Sequence, residues 1–419
     1  MSEMPENSKV KQLIDKGVSI KSPGAITIGE DVSVDLISGD GVTIHAGSKI
    51  FGSKTLIMAG CEIGYETPVT IENCQLGRNV HLRGGFMSQS TFLKKVTVRS
   101  GADIREGCLL EEESKCAHTV GLKQTILFPF VTLGSLINFC DCLMSGGTGR
   151  KNHSEVGSSY IHFNYTPDQD KATPSLIGDV PYGVMLNQKP IFLGGQGGLV
   201  GPSRIWYGTV IAAGTIYRKD FLKGDGLLFA GVNIKKKQHL YPYLYQGLKR
   251  IIFNNINYIS NVIALHRWYM DIRYLFFEVG RMETALFNGA MEKIDMVVNE
   301  RIKRLREVSE RMPQSVKVYK EVMKEHALET QQQLRVDFHE QWPNIEGLLK
   351  NCYDKEGDLE KRDRFIELIQ KGIERKGKDY IQVIRDLEGY EANLGTEWLQ
   401  GLVSEINSEA LSFISSFRS

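Results

Sequence analysis

The sequence has almost no excess of charge of either sign. Among its 419 residues, 51 are lysine or arginine and 50 are aspartate or glutamate, which gives a formal net charge of +1. A general nucleic-acid binder carries a basic face and a clear positive excess. We therefore expect no nucleic-acid partner.

Long uninterrupted apolar runs are also missing. The most apolar helical stretch, residues 251–279, is broken by His266, Arg267, Asp271 and Arg273. A membrane-spanning helix needs about 20 consecutive apolar residues. We interpret this stretch as a packed helix and expect no membrane span.

Cysteine is sparse and irregularly placed. The seven cysteines are odd in number and form no regular framework, and the first ten residues, MSEMPENSKV, are polar and lack the pattern of a secretory signal. Disulfide frameworks belong to oxidising compartments. We expect reduced thiols in a cytoplasmic protein.

Glycine, by contrast, is abundant at 42 residues, and apolar residues recur at every sixth position. Members of this series are Ile28 and Val34; Ile44, Ile50 and Leu56; Val80, Phe86, Phe92, Val98, Ile104, Leu110, Cys116, Leu122 and Phe128; Val131, Ile137 and Leu143; and Leu199, Ile205 and Ile211. A six-residue repeat is typical of a parallel β-helix, in which three short strands and turns make a coil of about 18 residues. The repeated side chain is expected to point inward and to stack on its equivalent in the next coil.

The repeat stops near residue 235, and helix-forming sequence follows. Six apolar residues fall on one helical face, namely Ile294, Val297, Val298, Ile302, Leu305 and Val308. The sequence predicts an N-terminal segment (1–17), a β-helix (18–235) and an all-α C-terminal domain (236–419). We expect the last to cover one end of the β-helix or to form oligomer contacts.

Two segments carry a more specific resemblance. EVGSSYIHFNYTPDQDKATPSLIGD (155–179) and LVGPSRIWYGTVIAAGTIYRKD (199–220) resemble the acetyltransferase half of the bifunctional N-acetylglucosamine-1-phosphate uridyltransferases. That family has, in the same order, an Asn-Tyr pair, a lysine-containing loop, Ile-Gly-Asp and Ala-Ala-Gly-Thr. The resemblance implies a left-handed β-helix, a homotrimer and active sites between neighbouring subunits.

The resemblance also implies roles for individual residues. Asn164, Tyr165 and Lys171 would bind the sugar phosphate, although asparagine is also a common corner residue of such coils. Ala212 and Ala213 would line the pantetheine arm of acetyl-CoA or another acyl-CoA. In the run KKK (235–237), Lys235 and Lys236 would lie near the CoA phosphates; a solvated charge run explains them equally.

The chain departs from the family at three places. It contains no glycine-rich nucleotide loop of a uridyltransferase half. Counting back from Asn164 places Asp141 where the family has its catalytic histidine. The segment 183–198 is longer than its counterpart, so we expect a loop there to enter the site.

His153 is the preferred general base. It lies beside Arg150 and Lys151, and neighbouring cations disfavour the protonated imidazole, which suits a base that accepts a proton from an amine. The alternative is an exposed loop histidine. His162, two residues before the Asn-Tyr pair, is a candidate for substrate contact, and His118 is interpreted as a corner histidine.

A metal site is considered and not predicted. His118 and His153 are spaced by nearly two coils, as in the zinc-dependent γ-class carbonic anhydrases, but the third histidine of that class is replaced by Ser158. The cysteines of CDC (140–142) are interpreted as small buried residues and not as a chelate.

The sequence thus predicts an acyl-CoA-dependent N-acyltransferase acting on an amino sugar, a sugar phosphate or a nucleotide sugar such as a UDP-linked one. The alternative is a non-catalytic trimeric module that binds sugar nucleotides or supports assembly. A zinc lyase is a third hypothesis, and a measurement of metal content would test it.

Overall fold

The structure is a computed structural model that describes residues 8–166, 168–229 and 241–417. Its N-terminal part is a parallel β-helix with three faces, consistent with the left-handed winding that the resemblance implies. Within the described residues the first face has eleven strands: Ser19–Ile20, Thr43–Ile44, Glu62–Ile63, His81–Leu82, Thr97–Val98, Lys115–Cys116, Thr132–Leu133, Glu155–Val156, Phe192–Leu193, Val210–Ile211 and Leu227–Leu228.

The other two faces complete each coil. The second face contains Thr27–Ile28, Lys49–Phe51, Val69–Glu72, Gly85–Ser88, Ala102–Ile104, Val120–Lys123, Ile137–Cys140, Ile161–Phe163, Gly198–Val200 and Ile216–Tyr217. The third contains Leu56–Ile57, Gln75–Leu76, Ser90–Phe92, Cys108–Leu110, Ile126–Leu127, Cys142–Met144, Ser175–Ile177 and Arg204–Ile205. An antiparallel hairpin pairs Gly147–Gly149 with Asn152–His153.

Inward-facing side chains stack in one column for each face. On the first face, Ile63, Leu82, Val98 and Cys116 are successive partners in register, and all are buried. Backbone groups pair with the coils above and below, so each coil supports the next. The six-residue repeat therefore predicted the architecture correctly.

The repeat misplaces several predicted inward residues, including Leu56, Phe86 and Leu143, which lie at outward positions. Phe86 is 39% exposed, and Met87 takes the inward position between Ile71 and Ile104. Successive coils differ in length, and a shift of one residue turns the opposite side chain inward because side chains alternate along a strand. Counting in sixes cannot detect such a shift.

Helices precede, interrupt and follow the β-helix. They are α1 (Lys9–Asp15), α2 (Val180–Gly183), α3 (Leu248–Asp271), α4 (Arg281–Glu310), α5 (Met312–Met323), α6 (Glu329–Glu340), α7 (Trp342–Asn351), α8 (Leu359–Lys376), α9 (Tyr380–Arg385) and α10 (Gly389–Ser412). Short 3₁₀ helices span Pro23–Ala25, Val34–Leu36, Arg273–Phe276, Lys324–His326, Cys352–Asp354 and Ser415–Phe417. No helix within the described ranges has the length and apolarity needed to cross a membrane.

The helical region lies along the third face, and the expectation that it covers an end of the β-helix was wrong. Helix α4 contacts four strands of this face, and α3 contacts the strand at 175–177. The outward-facing side chains here are mostly apolar, and Leu109, Ile126 and Leu143 are fully buried. A face with these side chains is stable only when covered.

Candidate functional site

The hairpin at 147–153 leaves the β-helix between the third and first faces. Arg150 near its tip reaches back to earlier coils, where its guanidinium donates to the backbone carbonyl of Glu113 at 3.1 Å and to the hydroxyl of Thr132 at 3.0 Å. These bonds hold the hairpin against the first face. His153 is thereby fixed at the edge of that face.

The hydrogen bonds of His153 determine which of its nitrogens can act as a base. Nδ1 lies 2.9 Å from the carbonyl oxygen of Arg150. A carbonyl only accepts, so Nδ1 carries the hydrogen and the lone pair is on Nε2. Nε2 lies 3.6 Å from a carboxylate oxygen of Glu155.

The surroundings keep His153 neutral. Its pKa is lowered, first by partial burial and then by the positive charge of Arg150, whereas Glu155 acts in the opposite direction. A neutral imidazole with an available Nε2 has the form that a general base requires.

A shallow cavity of about 270 Å³ lies on the first face beside the hairpin. Its lining residues are Asn79, His81, Lys95, Thr97, Glu113, Lys115 and Arg150. Three of them are basic and one is acidic, so the cavity favours an anionic group such as a phosphate. Lys115 also contributes to lowering the pKa of His153, which indicates that the cavity and the imidazole share one electrostatic environment.

The Asn-Tyr motif lies at a different corner, between the second and third faces. Asn164 donates from Nδ2 to Oδ2 of Asp141 at 2.7 Å, and Arg301 of α4 donates to Oδ1 of the same carboxylate at 2.8 Å. Arg301 also donates to the backbone carbonyl of Lys171 at 3.0 Å. Asp141 therefore takes the position of the family's catalytic histidine, and both of its carboxylate oxygens accept hydrogen bonds from side chains of the same chain.

His162 occupies an inward position of the second face. It pairs in register with Leu199, and its ring lies 6.2 Å from that of Phe139. Nε2 is 2.8 Å from the hydroxyl of Ser175. Burial lowers the pKa of His162 to about 4, so this histidine is neutral and packed in the interior.

Tyr165 and the side chain of Lys171 remain on the surface. Tyr165 is 63% exposed, and Lys171 is exposed as well. The structure brings Asn164, His162 and the backbone of Lys171 together at one corner and places Arg150 and His153 at another.

The predicted cofactor residues lie in the last coils. Ala212 is half-buried and Ala213 exposed in the turn after the strand Val210–Ile211. A Cβ on Gly194 would lie 2.3 Å from the backbone nitrogen of Ala213, so the two turns stack closely. Lys235 and Lys236 lie outside the described residues.

No group of three or more potential metal ligands occurs in the part of the chain that the structure describes. Cys142 is fully buried, Cys140 is 4% exposed, and all seven cysteines are unpaired. The exposed corner residue His118 lies 2.8 Å from the hydroxyl of Ser135 through Nδ1.

Sequence reasoning missed the contribution of Arg301. It lies on the predicted apolar face of α4, next to Ile302 and one turn after Val298, and only 1% of it is exposed. An arginine within an apolar helical stripe was the available signal, because a buried charge requires a partner.

The comparisons with known proteins agree with this architecture. No protein-family model matches the chain. The bifunctional protein GlmU of Thermotoga petrophila is 28% identical over 221 residues, which cover 52% of this chain and 44% of the relative. GlmU of Pelobacter propionicus is 29% identical over 216 residues (51% and 42%), and GlmU of Clavibacter sepedonicus is 27% identical over 208 residues (50% and 37%).

The chain thus spans less than half the length of these curated relatives. The similarity is to the acetyltransferase half of the GlmU proteins, which confirms the resemblance based on the motifs at 155–220. The helical region has no counterpart in this resemblance.

Proposed function

We propose that the chain transfers an acyl group, preferentially acetyl, from acyl-CoA to the amine of an amino sugar that carries a phosphate or a nucleotide. The main observation in support is the state and position of His153. Its imidazole is neutral, Nε2 holds the lone pair, and the side chain lies beside a basic cavity. The β-helix that carries it is similar to an acetyltransferase. The coarser assignment to an acyltransferase of sugar phosphates is supported by the similarity to the GlmU proteins.

In the proposed reaction, the sugar amine attacks the thioester carbonyl, and a new C–N bond forms as the C–S bond breaks. Nε2 of His153 accepts the proton that the amine loses, and this proton leaves with the CoA thiolate as the free thiol. Lys95, Lys115 and Arg150 would hold the acceptor phosphate.

We also propose a cytoplasmic homotrimer with active sites between neighbouring subunits. The last coils would contact the acyl donor, and Asn164, Tyr165 and Lys171 of a neighbouring subunit would complete the acceptor site. Phe192, Val210 and Leu227 form an outward row in register on the first face and are 40%, 39% and 61% exposed. A neighbouring subunit or the pantetheine arm near Ala212 and Ala213 would cover this apolar row.

The experiment incubates purified protein with acetyl-CoA and one of three acceptor types, and measures release of the CoA thiol. The acceptors are glucosamine 1-phosphate, galactosamine 1-phosphate and UDP-linked amino sugars. The variant H153Q should lose at least 100-fold in kcat, whereas H118Q, which alters a corner histidine of the same β-helix, should keep wild-type activity. Thiol release at background with every acceptor would contradict the proposal, and light scattering would test the trimer.

A second candidate function follows from the Asp141–Arg301 contact. The family's base position holds a carboxylate that Arg301 and Asn164 fully engage, which fits a non-catalytic module for binding or assembly. Binding of a UDP-linked sugar without turnover, together with full cellular function of H153Q, would favour this alternative over the enzyme.

A further inference from the structure

A second cavity lies at the seam between the β-helix and the helical region. Its volume is about 300 Å³, at the lower end of small-molecule sites. The β-helix contributes Leu93 and Glu112, and the helical region contributes Arg273, Phe276 and Tyr380. None of these residues belongs to the proposed His153 site.

Two charged side chains of this cavity have unused hydrogen-bonding atoms. Arg273 is 1% exposed and donates from Nη2 to Oε1 of Glu112. Its Nε and Nη1, and Oε2 of Glu112, are buried and have no hydrogen-bond partner among the described residues. Leaving buried polar atoms unpaired is costly, so such atoms point to a missing partner.

The arginine is held rigidly. The guanidinium carbon lies 3.7 Å from the ring centre of Tyr380 and 5.3 Å from that of Tyr269. The hydroxyl of Tyr269 in turn donates to Glu111. A pre-ordered donor group of this kind loses little entropy when a ligand binds.

The charge of the lining argues against a simple anion. Basic and acidic side chains are equal in number around the cavity. Two of the exposed cations are paired, Arg78 with Glu283 at 3.0 Å and Lys94 with Asp379 at 3.3 Å, and Lys378 donates to the backbone carbonyl of Phe277 at 2.8 Å. A phosphate would meet as many carboxylates as cations, so an uncharged ligand fits better.

A hydroxyl group matches the unused atoms because it donates and accepts at the same time. Neighbouring hydroxyls of a sugar ring can accept from Nε and Nη1 of Arg273 and donate to Oε2 of Glu112. The aromatic walls formed by Phe276 and Tyr380 suit the apolar face of such a ring.

The seam cavity adjoins the proposed active site. Lys95 and Glu113 line both cavities and form an ion pair of 3.5 Å between them. We propose that the seam cavity binds a hexose unit through Arg273 and Glu112. This proposal rests on the proposed function: the sugar acceptor carries a second sugar unit, which extends past Lys95 and Glu113 into the seam cavity.

The test measures binding without acyl-CoA, so it is independent of catalysis. Saturation-transfer NMR and calorimetry would probe the full chain with D-glucose, D-galactose and D-mannose, and separately with inorganic phosphate. We expect at least one hexose to bind and phosphate not to compete. Absence of hexose binding, or phosphate binding that displaces the hexose, would overturn the proposal while leaving thiol release as a separate test of the enzyme.

Matched variants locate the binding. Ile381, half-buried on α9, lines the seam cavity, and I381W should fill it and weaken hexose binding at least 10-fold. Ile251, equally half-buried, lines another cavity of about 300 Å³, and I251W should bind like wild type. E112Q removes the charged acceptor with nearly the same shape and should also weaken binding about 10-fold, which serves as the test if I381W fails to fold. Unchanged binding in a folded I381W or E112Q protein would refute the assignment.

Discussion

Arg301 on helix α4 and Asp141 on the β-helix form an ion pair of 2.8 Å in which the two side chains are only 1% and 5% exposed. The pair joins residues 160 positions apart in the chain. Because Asp141 also accepts from Asn164, one carboxylate links the helical region, the second-face corner and the Asn-Tyr motif. This link explains why the two parts of the chain pack as one unit at this corner.

Replacing Arg301 with methionine should lower the free energy of unfolding by about 3–5 kcal/mol, because it leaves the carboxylate of Asp141 buried without its charge partner. D141N should also lower the free energy of unfolding, because it leaves the guanidinium of Arg301 buried without its charge partner. Asparagine tolerates the φ of +61° at this position. The double variant D141N/R301M should be more stable than the sum of the two losses predicts. Urea denaturation of the four proteins measures the coupling, and additive losses would show that the pair contributes no interaction energy.

His162 should make stability sensitive to acid. Its pKa in the folded protein is about 4 because of burial, below the ordinary value of 6.5. The unfolded chain therefore binds more protons between pH 6.5 and pH 4, and stability falls as the pH is lowered through this range, by about 3 kcal/mol in total. Asp141 opposes this shift and Arg301 reinforces it.

The variant H162L tests this acid sensitivity, since leucine suits an inward column beside Phe139 and Leu199. Its unfolding free energy should depend less on pH between 6.5 and 4, by close to one bound proton. His266, whose pKa is also lowered to about 4, serves as the comparison, because H266Q should remove a separate part of the slope. An unchanged pH dependence in H162L would contradict the buried neutral state.

The sequence allowed prediction of the fold to the extent that one side-chain position repeats. Val98, Ile104 and Leu110 are inward and buried as the repeat requires, whereas Phe86 is not, because coil length varies. Each coil contacts only the coils above and below it. A regular spacing of apolar residues along the sequence is therefore enough to predict that the coils stack.

The location of the helical region depends on distant contacts. The apolar stripe of α4 was visible in the sequence, but its partner surface was not. Arg273 was interpreted only as an interruption of an apolar run, yet it is buried against Glu112 on the β-helix. No spacing rule relates residues so far apart, and the same limit applies to the Arg301–Asp141 pair.

The proposed base should be visible in the pH dependence of acyl transfer. Because the pKa of His153 is lowered, the acid limb of kcat/KM should have its midpoint below the ordinary histidine value of 6.5. Glu155 raises the pKa of His153, so E155Q should move this limb to still lower pH. The control D103N, on the exposed second face, should leave the profile unchanged. Movement of the limb toward higher pH in E155Q would exclude His153 as the titrating base.

The close contact between Gly289 of α4 and Gln75 of the third face should tolerate no added bulk. A Cβ on Gly289 would lie 2.5 Å from Oε1 of Gln75, a side chain held by hydrogen bonds to Thr91 and Lys54. G289V should therefore lower the free energy of unfolding by about 1–3 kcal/mol, since a packed contact cannot absorb the extra volume. Calorimetric melting measures this loss.

Gly347 on α7 provides the matched control for this contact. Nothing lies within 4 Å of a Cβ built at this helical position. G347A should raise the free energy of unfolding by up to about 1 kcal/mol, because alanine is the better helix former. Wild-type stability of G289V, together with the expected gain in G347A, would contradict the packing of α4 against Gln75. The third face would then not be covered by α4 in the way that the structure shows.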